Sequence, residues 1–158
     1  MIINSSAQGV QIALLEDKKL VELHNEKADA SFNVGDLYLG RVKKLIPGLN
    51  AAFVDVGFEK DAFLHYTDLS PFAKSLLKFT QLSINSPAAS QPNFSTFTVE
   101  AEIVKTGKIN EVLGQKPNVL VQILKEPIAA KGPRLSCEIS LPGRFVVITP
   151  FNDIIAVS

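Results

Sequence analysis

Residues 38–65 read "YLGRVKKLIPGLNAAFVDVGFEKDAFLH", and the way this stretch alternates decides the fold. Successive side chains of a strand point to opposite faces. In "AAFVDVG", Ala52, Val54 and Val56 share one face, and Ala51, Phe53 and Asp55 share the other. An aspartate is rarely buried unpaired, so the valine face is the core face and Phe53 points outward. In "DAFLH" the same reasoning turns Ala62 and Leu64 inward and leaves Phe63 outside with Asp61 and His65. A slip of one residue would reverse both assignments and bury both rings. Pro47-Gly48 between the first two strands suits a turn, because proline presets φ and glycine accepts positive φ. The second turn is "FEKD". If the second and third strands are hairpin partners, Phe53 and Phe63 are neighbours on one exposed surface.

Further strands follow from the same kind of reading. "MIIN" and "GVQIALL" are apolar or alternating, "EDKK" at 16–19 is a polar turn, and "LVELH" completes a hairpin. "NEKADASFN" at 25–33 reads as a connection. "SPFAKSLLKFT" at 70–80 reads as a short helix capped by Ser70 with Pro71 in its first turn. The uncharged, Ser/Asn/Gln/Pro-rich stretch at 80–97 reads as a long exposed loop. "TVEAEIVKTG" is expected as a strand, "INEVL" as a helical turn, "NVLVQILKE" as a strand and "RLSCEISL" as the closing strand. "PGRFVVITP" and "DIIAV" are expected to finish the chain as two more strands, the two chain ends pairing with each other.

Composition narrows the function. The 158 residues carry 16 Lys plus Arg and 16 Asp plus Glu, a net charge of zero. The chain therefore lacks the global basic footprint of many nucleic-acid binders, and any such role has to rest on a local site. One cysteine, Cys137, makes neither an internal disulfide nor a cysteine-based zinc cage. No apolar run approaches the ~18–20 residues that span a bilayer, and no basic leader precedes an apolar stretch at the start.

Five or more short antiparallel strands with one long connection suit a small Greek-key barrel of the OB type. Barrels of this kind hold single strands on one sheet face, aromatics stacking on bases and cations tracking phosphates. Arg41, Lys43, Lys44 and Lys131 are the candidate cations. A solvated surface is the ordinary reading of each one singly, and exposed single phenylalanines are common.

Two blocks carry a resemblance. "GDLYLGRVKKLIPGLNAAFVDVGFEKDAFLHYTDL" resembles the RNA-binding S1-type domain of the ribonuclease E/G family, with "GRV…PGLNAAFVD.G…AFLH" as its most specific part. "VLVQILKE…AKGPRLSCEISLPGRFVVITP" resembles the end of that domain and the strand after it. The opening "MIINSSAQGVQIALLEDKKLVEL" fits as well. The resemblance implies a mainly β chain in which an S1-type OB barrel over 34–140 is inserted in a partial ribonuclease-H-like subdomain formed by 1–33 and 141–158. Residues 70–98 are then a long loop or insertion.

For function, the resemblance implies a bacterial cytoplasmic endoribonuclease that cuts single-stranded RNA in ribosomal RNA processing and messenger RNA decay. It implies magnesium and a structural zinc for the complete protein, which would also carry any homo-oligomer contacts. Two family aromatics that touch RNA fall on Phe53 and Phe63, and a family lysine falls on Lys131. The segment at 70–98 is longer and more polar than the family's, and Pro127 stands where a residue with an amide is usual, which ends the local strand early.

The family's 5′-end sensor, paired metal-binding aspartates and zinc-binding cysteines have no counterpart in this chain. The acids are scattered, and His24 and His65 fall in different segments. Cys137 reads as a packed thiol. The chain alone is therefore expected to bind RNA and to cut nothing. Two rival readings are a stand-alone OB-fold RNA-binding protein of translation or transcription, and a protein-interaction module.

Overall fold

A computed structural model describes residues 1–6, 9–27, 32–86, 92–153 and 155. It divides into two compact units, residues 1–31 and 32–158. In the first, β1 (Ile2–Ser6), β2 (Gly9–Glu16) and β3 (Lys19–Lys27) form an antiparallel sheet in the order β1-β2-β3. The turn expected at 16–19 is present. Asp17 and Lys18 both take positive φ, 50° and 64°, which is the twist a two-residue hairpin loop requires. β3 runs through Asn25–Lys27, where a connection was expected; residues 28–31 lie outside the described residues.

The second unit is built on a closed barrel. Its strands are β4 (Leu37–Ile46), β5 (Ala51–Asp55), β6 (Ala62–His65), β7 (Asn118–Lys125) and β8 (Arg134–Ser136). They close in the order β4-β5-β6-β8-β7. All the pairs are antiparallel except β6 with β8, which is parallel. This is the mainly β, five-stranded barrel that the alternation requires. The inward residues are those assigned from the sequence: Ala52, Val54, Ala62 and Leu64 are fully buried, and Val56 nearly so. Val119, Val121, Ile123 and Leu135 complete the interior. Gly40 lies where β4 crosses β5. A Cβ there would stand 2.5 Å from Val54 Cγ1, so only glycine lets the two strands approach.

Pro47–Leu49 forms a single 3-10 turn that ends on Asn50 in the left-handed region, φ 49° and ψ 44°. Asn50 then reaches across the molecule. Its Nδ2 donates to Gly107 O at 3.0 Å, and its Oδ1 accepts the Ile109 amide at 2.7 Å. Ile109 opens the short helix α2, whose position at Ile109–Leu113 matches the expected helical turn. A first-turn amide has no partner inside its own helix, and here a side chain from the barrel supplies one.

Three stretches differ from the sequence expectation. The helix, numbered here α1, runs Ala73–Asn85. It starts later than Ser70-Pro71 suggests, with Ser70 Oγ accepting the Phe72 amide instead of capping the helix itself. It also continues through 81–85, read above as loop. Thr80 Oγ donates to Leu76 O and Ser83 Oγ to Phe79 O, so hydroxyls that would favour a loop are satisfied on the helix. Residues 87–91 of the polar stretch lie outside the described residues.

Second, "TVEAEIVKTG" is not a strand. A closed barrel offers no edge for another strand to join, and this segment instead lies along α1. Glu100 N donates to Ser75 Oγ at 2.8 Å and Ile103 N to Pro71 O at 2.9 Å. Third, the strand expected over "PGRFVVITP" shrinks to a small ladder of β9 (Leu141–Pro142) with β10 (Val147–Ile148). The strands of the two chain ends thus fall in separate ladders, β1–β3 with one another and β9 with β10. Most of "DIIAV" lies outside the described residues. β7 stops at Lys125, ahead of Pro127. No helix among the described residues is long and apolar enough to cross a membrane.

Candidate nucleic-acid interface

The antiparallel register of β5 and β6 sets Phe53 directly opposite Phe63. Both are half-buried on the outer surface, with ring centroids 6.0 Å apart and planes at 68°. His65, two residues further along β6, has its ring 6.4 Å from Phe63 and tilted only 24° from it. Three planar side chains therefore share one surface.

The ladders extend this surface across the sheet. Lys44 of β4 is opposite Phe53, Phe63 is opposite Arg134 of β8, and Arg134 is opposite Lys125 of β7. Paired residues share the outer face of the wall, so one row runs around the closed barrel through Lys44, Phe53, Phe63, Arg134 and Lys125. The direct ladder neighbours of the two rings are Lys44 on one side and Arg134 on the other. Two bulges create this order. One lies between Val42 and Lys44 and the other between Ile123 and Lys125. Each inserts a residue that shifts the following side chain to the other face.

Arg134 is held rigidly. Its Nε donates to Asp68 Oδ2 at 3.0 Å, and its Nη2 to Asp68 Oδ1 at 3.1 Å. This is the two-point geometry that suits a guanidinium to a carboxylate. Its Nη1 takes no part in that pair.

Arg41 stands opposite Asp55 in the β4–β5 ladder, at the Asp55 end of the same face. Lys43 is placed differently. Its ammonium lies 3.0 Å from Asp61 and 3.2 Å from Asp55. Bonding to Asp61, and then to Asp55, raises its pKa above the usual lysine value. Asp55 is held below its usual range, chiefly by the Gly57 amide that donates to it at 3.0 Å and next by Lys43. One lysine thus bridges the two acids beside the rings and offsets one of their two negative charges.

Lys131 is exposed in the loop before β8. That loop is pressed against the turn leading into β6. A Cβ on Gly132 would stand 2.3 Å from Asp61 O, and Phe63 N donates to Pro133 O at 2.8 Å. The backbone of the Lys131 loop therefore lies beside the ring pair.

Of the residues singled out from the sequence, Phe53 and Phe63 come together with Lys44 in one row, with Arg41 and the Lys131 loop beside it. Arg134 and Lys125 were missed. Arg134 was accessible by alternation, since Leu135 must face inward. Lys125 was not, because strict alternation from Ile123 turns it inward and only the bulge brings it out.

Cys137 is buried, and burial, with the Asp68 charge second, pushes its thiol up to about 12. It is a packed, un-ionised thiol and not a nucleophile. Among the described residues no three His, Cys, Asp or Glu side chains gather as a metal would need. Asp55 and Asp61 are both taken up by Lys43. The described residues therefore form no cluster that fits magnesium or a structural zinc.

No family model matches the chain. Curated relatives do. Over all 158 residues the chain is 32% identical to Ribonuclease G of Escherichia coli (strain K12) and 33% identical to Ribonuclease G of Haemophilus influenzae, covering 28% of each. Over 150 residues, 90% of the chain, it is 34% identical to Ribonuclease E of a Nostoc species, covering 18% of that protein. The chain thus spans about a quarter of the length of the Ribonuclease G relatives.

Proposed function

We propose, because the chain belongs to the ribonuclease E/G family, that its barrel is an S1-type module that holds single-stranded RNA for an endoribonuclease. The observation that carries this reading is the row Lys44–Phe53–Phe63–Arg134–Lys125. A single strand has two features common to every sequence, flat bases and regularly spaced phosphates. Aromatic faces take the first and flanking cations the second, and neither demands a particular base. Phe53 and Phe63 stack bases. Lys44, Lys125, Arg41 and Lys131 meet phosphates, and Arg134 offers Nη1 while Asp68 fixes its plane. Lys43 acts by offsetting part of the negative charge of Asp55 and Asp61, which would otherwise repel the phosphates more strongly.

In this reading the chain binds and orients RNA but does not cleave it. Cleavage, with magnesium, and the structural zinc belong to other parts of a complete family protein, as do homo-oligomer contacts. The strands at 1–33 and 141–158 contribute to a ribonuclease-H-like subdomain of that protein. The setting is the bacterial cytoplasm, in ribosomal RNA processing and messenger RNA decay.

The test is fluorescence anisotropy with a labelled single-stranded RNA at two salt concentrations, for the chain and for Phe53→Ala/Phe63→Ala. Binding should weaken with salt, because phosphate contacts release counterions. The double variant should lose at least ~1 kcal/mol, the lower end for one stacked base. No binding by the folded chain, or equal binding by the variant, refutes the platform.

A further inference from the structure

We propose that a cleft beyond the ends of β6 and β8 seats one nucleotide of the RNA strand that crosses the ring row, with Lys105 taking its phosphate and Glu138 reading its base. The proposal rests on reading that row as an RNA-binding surface. It adds a second site, and with it a base preference that the row itself lacks.

The parallel pairing of β6 with β8 places the cleft. Phe63 and Arg134 are partners in that ladder, and the two strands run in the same direction. Four residues further along each come Thr67 and Glu138, and both line one cleft of about 340 Å³. Sites for small ligands span ~300–1,000 Å³. Past the ladder the two segments stay side by side, because Cys137 N donates to Asp68 O at 2.8 Å. Four extended residues cover at most ~13 Å, about four nucleotides at the stacked spacing of ~3.4 Å. A strand that crosses the row therefore reaches the cleft within a few nucleotides.

The walls are joined before any ligand arrives. Tyr66 Oη donates to Val104 O at 2.5 Å, and Ile103 N donates to Pro71 O at 2.9 Å. The turn after β6 and the segment 103–105 thus form one frame, and order arranged before binding lowers the entropy lost when a ligand is held. Leu69, Pro71 and Ile103 give the cleft an apolar side, which suits the flat face of a base. Lys105 and Glu138 bring opposite charges to it from two different segments. Both are exposed, and among the described residues neither is in an ion pair. They can therefore meet a ligand that carries both an anion and N–H donors, and a nucleotide is one. An ammonium binds phosphate as a point charge. A carboxylate only accepts hydrogen bonds, so Glu138 favours a base that presents donors. Guanine fits best, because its adjacent ring N–H and amino group match the two carboxylate oxygens. Uracil offers a single N–H flanked by two carbonyl oxygens, which the carboxylate repels.

The experiment measures fluorescence anisotropy with labelled oligouridine, and with the same strand carrying one guanosine at each position in turn. It compares the chain with Glu138→Gln, Glu138→Ala and Lys105→Ala, each checked for an unchanged circular-dichroism melt. At one position guanosine should tighten binding at least ~5-fold over uridine, the lower end for a two-point base contact. Glu138→Gln and Glu138→Ala should remove that preference without weakening oligouridine binding. Lys105→Ala should weaken every strand to a similar extent and lower the salt slope by about 1. If oligouridine binds and guanosine is preferred at no position, or the preference survives Glu138→Ala, the cleft site is refuted and the platform stands. If Lys105→Ala changes neither affinity nor salt slope, the phosphate contact is refuted. If no strand binds the folded chain, both readings fall.

Discussion

Replacing Asn50 by alanine should destabilise the barrel unit by ~2–4 kcal/mol, and a series of variants at this position separates the reasons. The first contribution is the helix cap. Asn50 Oδ1 is the acceptor for the Ile109 amide, and Ile109 is fully buried. Losing a cap of this kind costs ~1 kcal/mol, within a range of about 0.5–2. The second contribution is conformational. Asn50 holds φ 49° and ψ 44°. An L-residue with a Cβ spends ~1–2 kcal/mol there, which asparagine tolerates better than most by local hydrogen bonding and alanine does not. Asn50→Gly removes the cap but not the tolerance for positive φ, so it should cost only ~1–2 kcal/mol. Asn50→Asp keeps an acceptor for Ile109 and sets a carboxylate against Gly107 O, so it should fall between parent and alanine. Urea unfolding followed by circular dichroism suits a chain with no tryptophan, and equal slopes would show that the same surface is exposed in each variant. Equal losses in the alanine and glycine variants would refute the conformational part. A loss below ~0.5 kcal/mol in both would refute the cap.

Three further outcomes follow from the same structure. Gly40→Ala should cost ~1–3 kcal/mol in a thermal or urea melt, because its methyl would stand 2.5 Å from Val54 Cγ1 and 3.2 Å from Asp55 O; an unchanged midpoint would show that β4 and β5 separate freely. Asp61→Asn should strengthen RNA binding and steepen its salt dependence, since it removes a negative charge beside the rings and releases Lys43 from one of its two partners; weaker binding would contradict the neutralising role given to Lys43. Cys137 should resist iodoacetamide until the chain unfolds. Its thiol is raised from the usual 9.0 to about 12, so the folded state keeps a proton that the unfolded state loses. Stability is therefore intact below pH 9 and should fall between about 9 and 12 by roughly 1 kcal/mol per pH unit; a flat profile there would place the thiol in water.

What the sequence revealed and what it hid divide along physical lines. Local alternation is fixed by burial, so the inward set Ala52, Val54, Ala62 and Leu64 and the outward pair Phe53 and Phe63 were legible. The place of the turn at Pro47-Gly48 was legible, but its left-handed residue is Asn50 and not the glycine. The bulges were not. Two consecutive lysines, Lys43 and Lys44, do not reveal which is the inserted residue, and only the ladder to Phe53 decides it. The role of Asn50 was hidden because its partners lie 57 and 59 residues away. The polar turns of α1 read as loop because hydroxyls that cap loops in one context bond to helix carbonyls in another. The segment after Phe97 alternated like a strand and still had no ladder to join, since closure of the barrel had used every edge.

The parallel pairing of β6 with β8 has a kinetic consequence. β5 and β6 adjoin in the chain, and a hairpin closes in microseconds, so Phe53 and Phe63 can meet early. Arg134 and its carboxylate partner Asp68 are 66 residues apart, and contacts so distant form only after a large loop has been closed. During synthesis the ring pair leaves the ribosome well before β8 exists. A growing chain thus displays an uncovered aromatic hairpin first and gains its rigid arginine only when the last barrel strand docks. Until that moment Phe63 lacks its ladder neighbour Arg134, so in the proposed reading premature capture of RNA is disfavoured by the order of assembly itself.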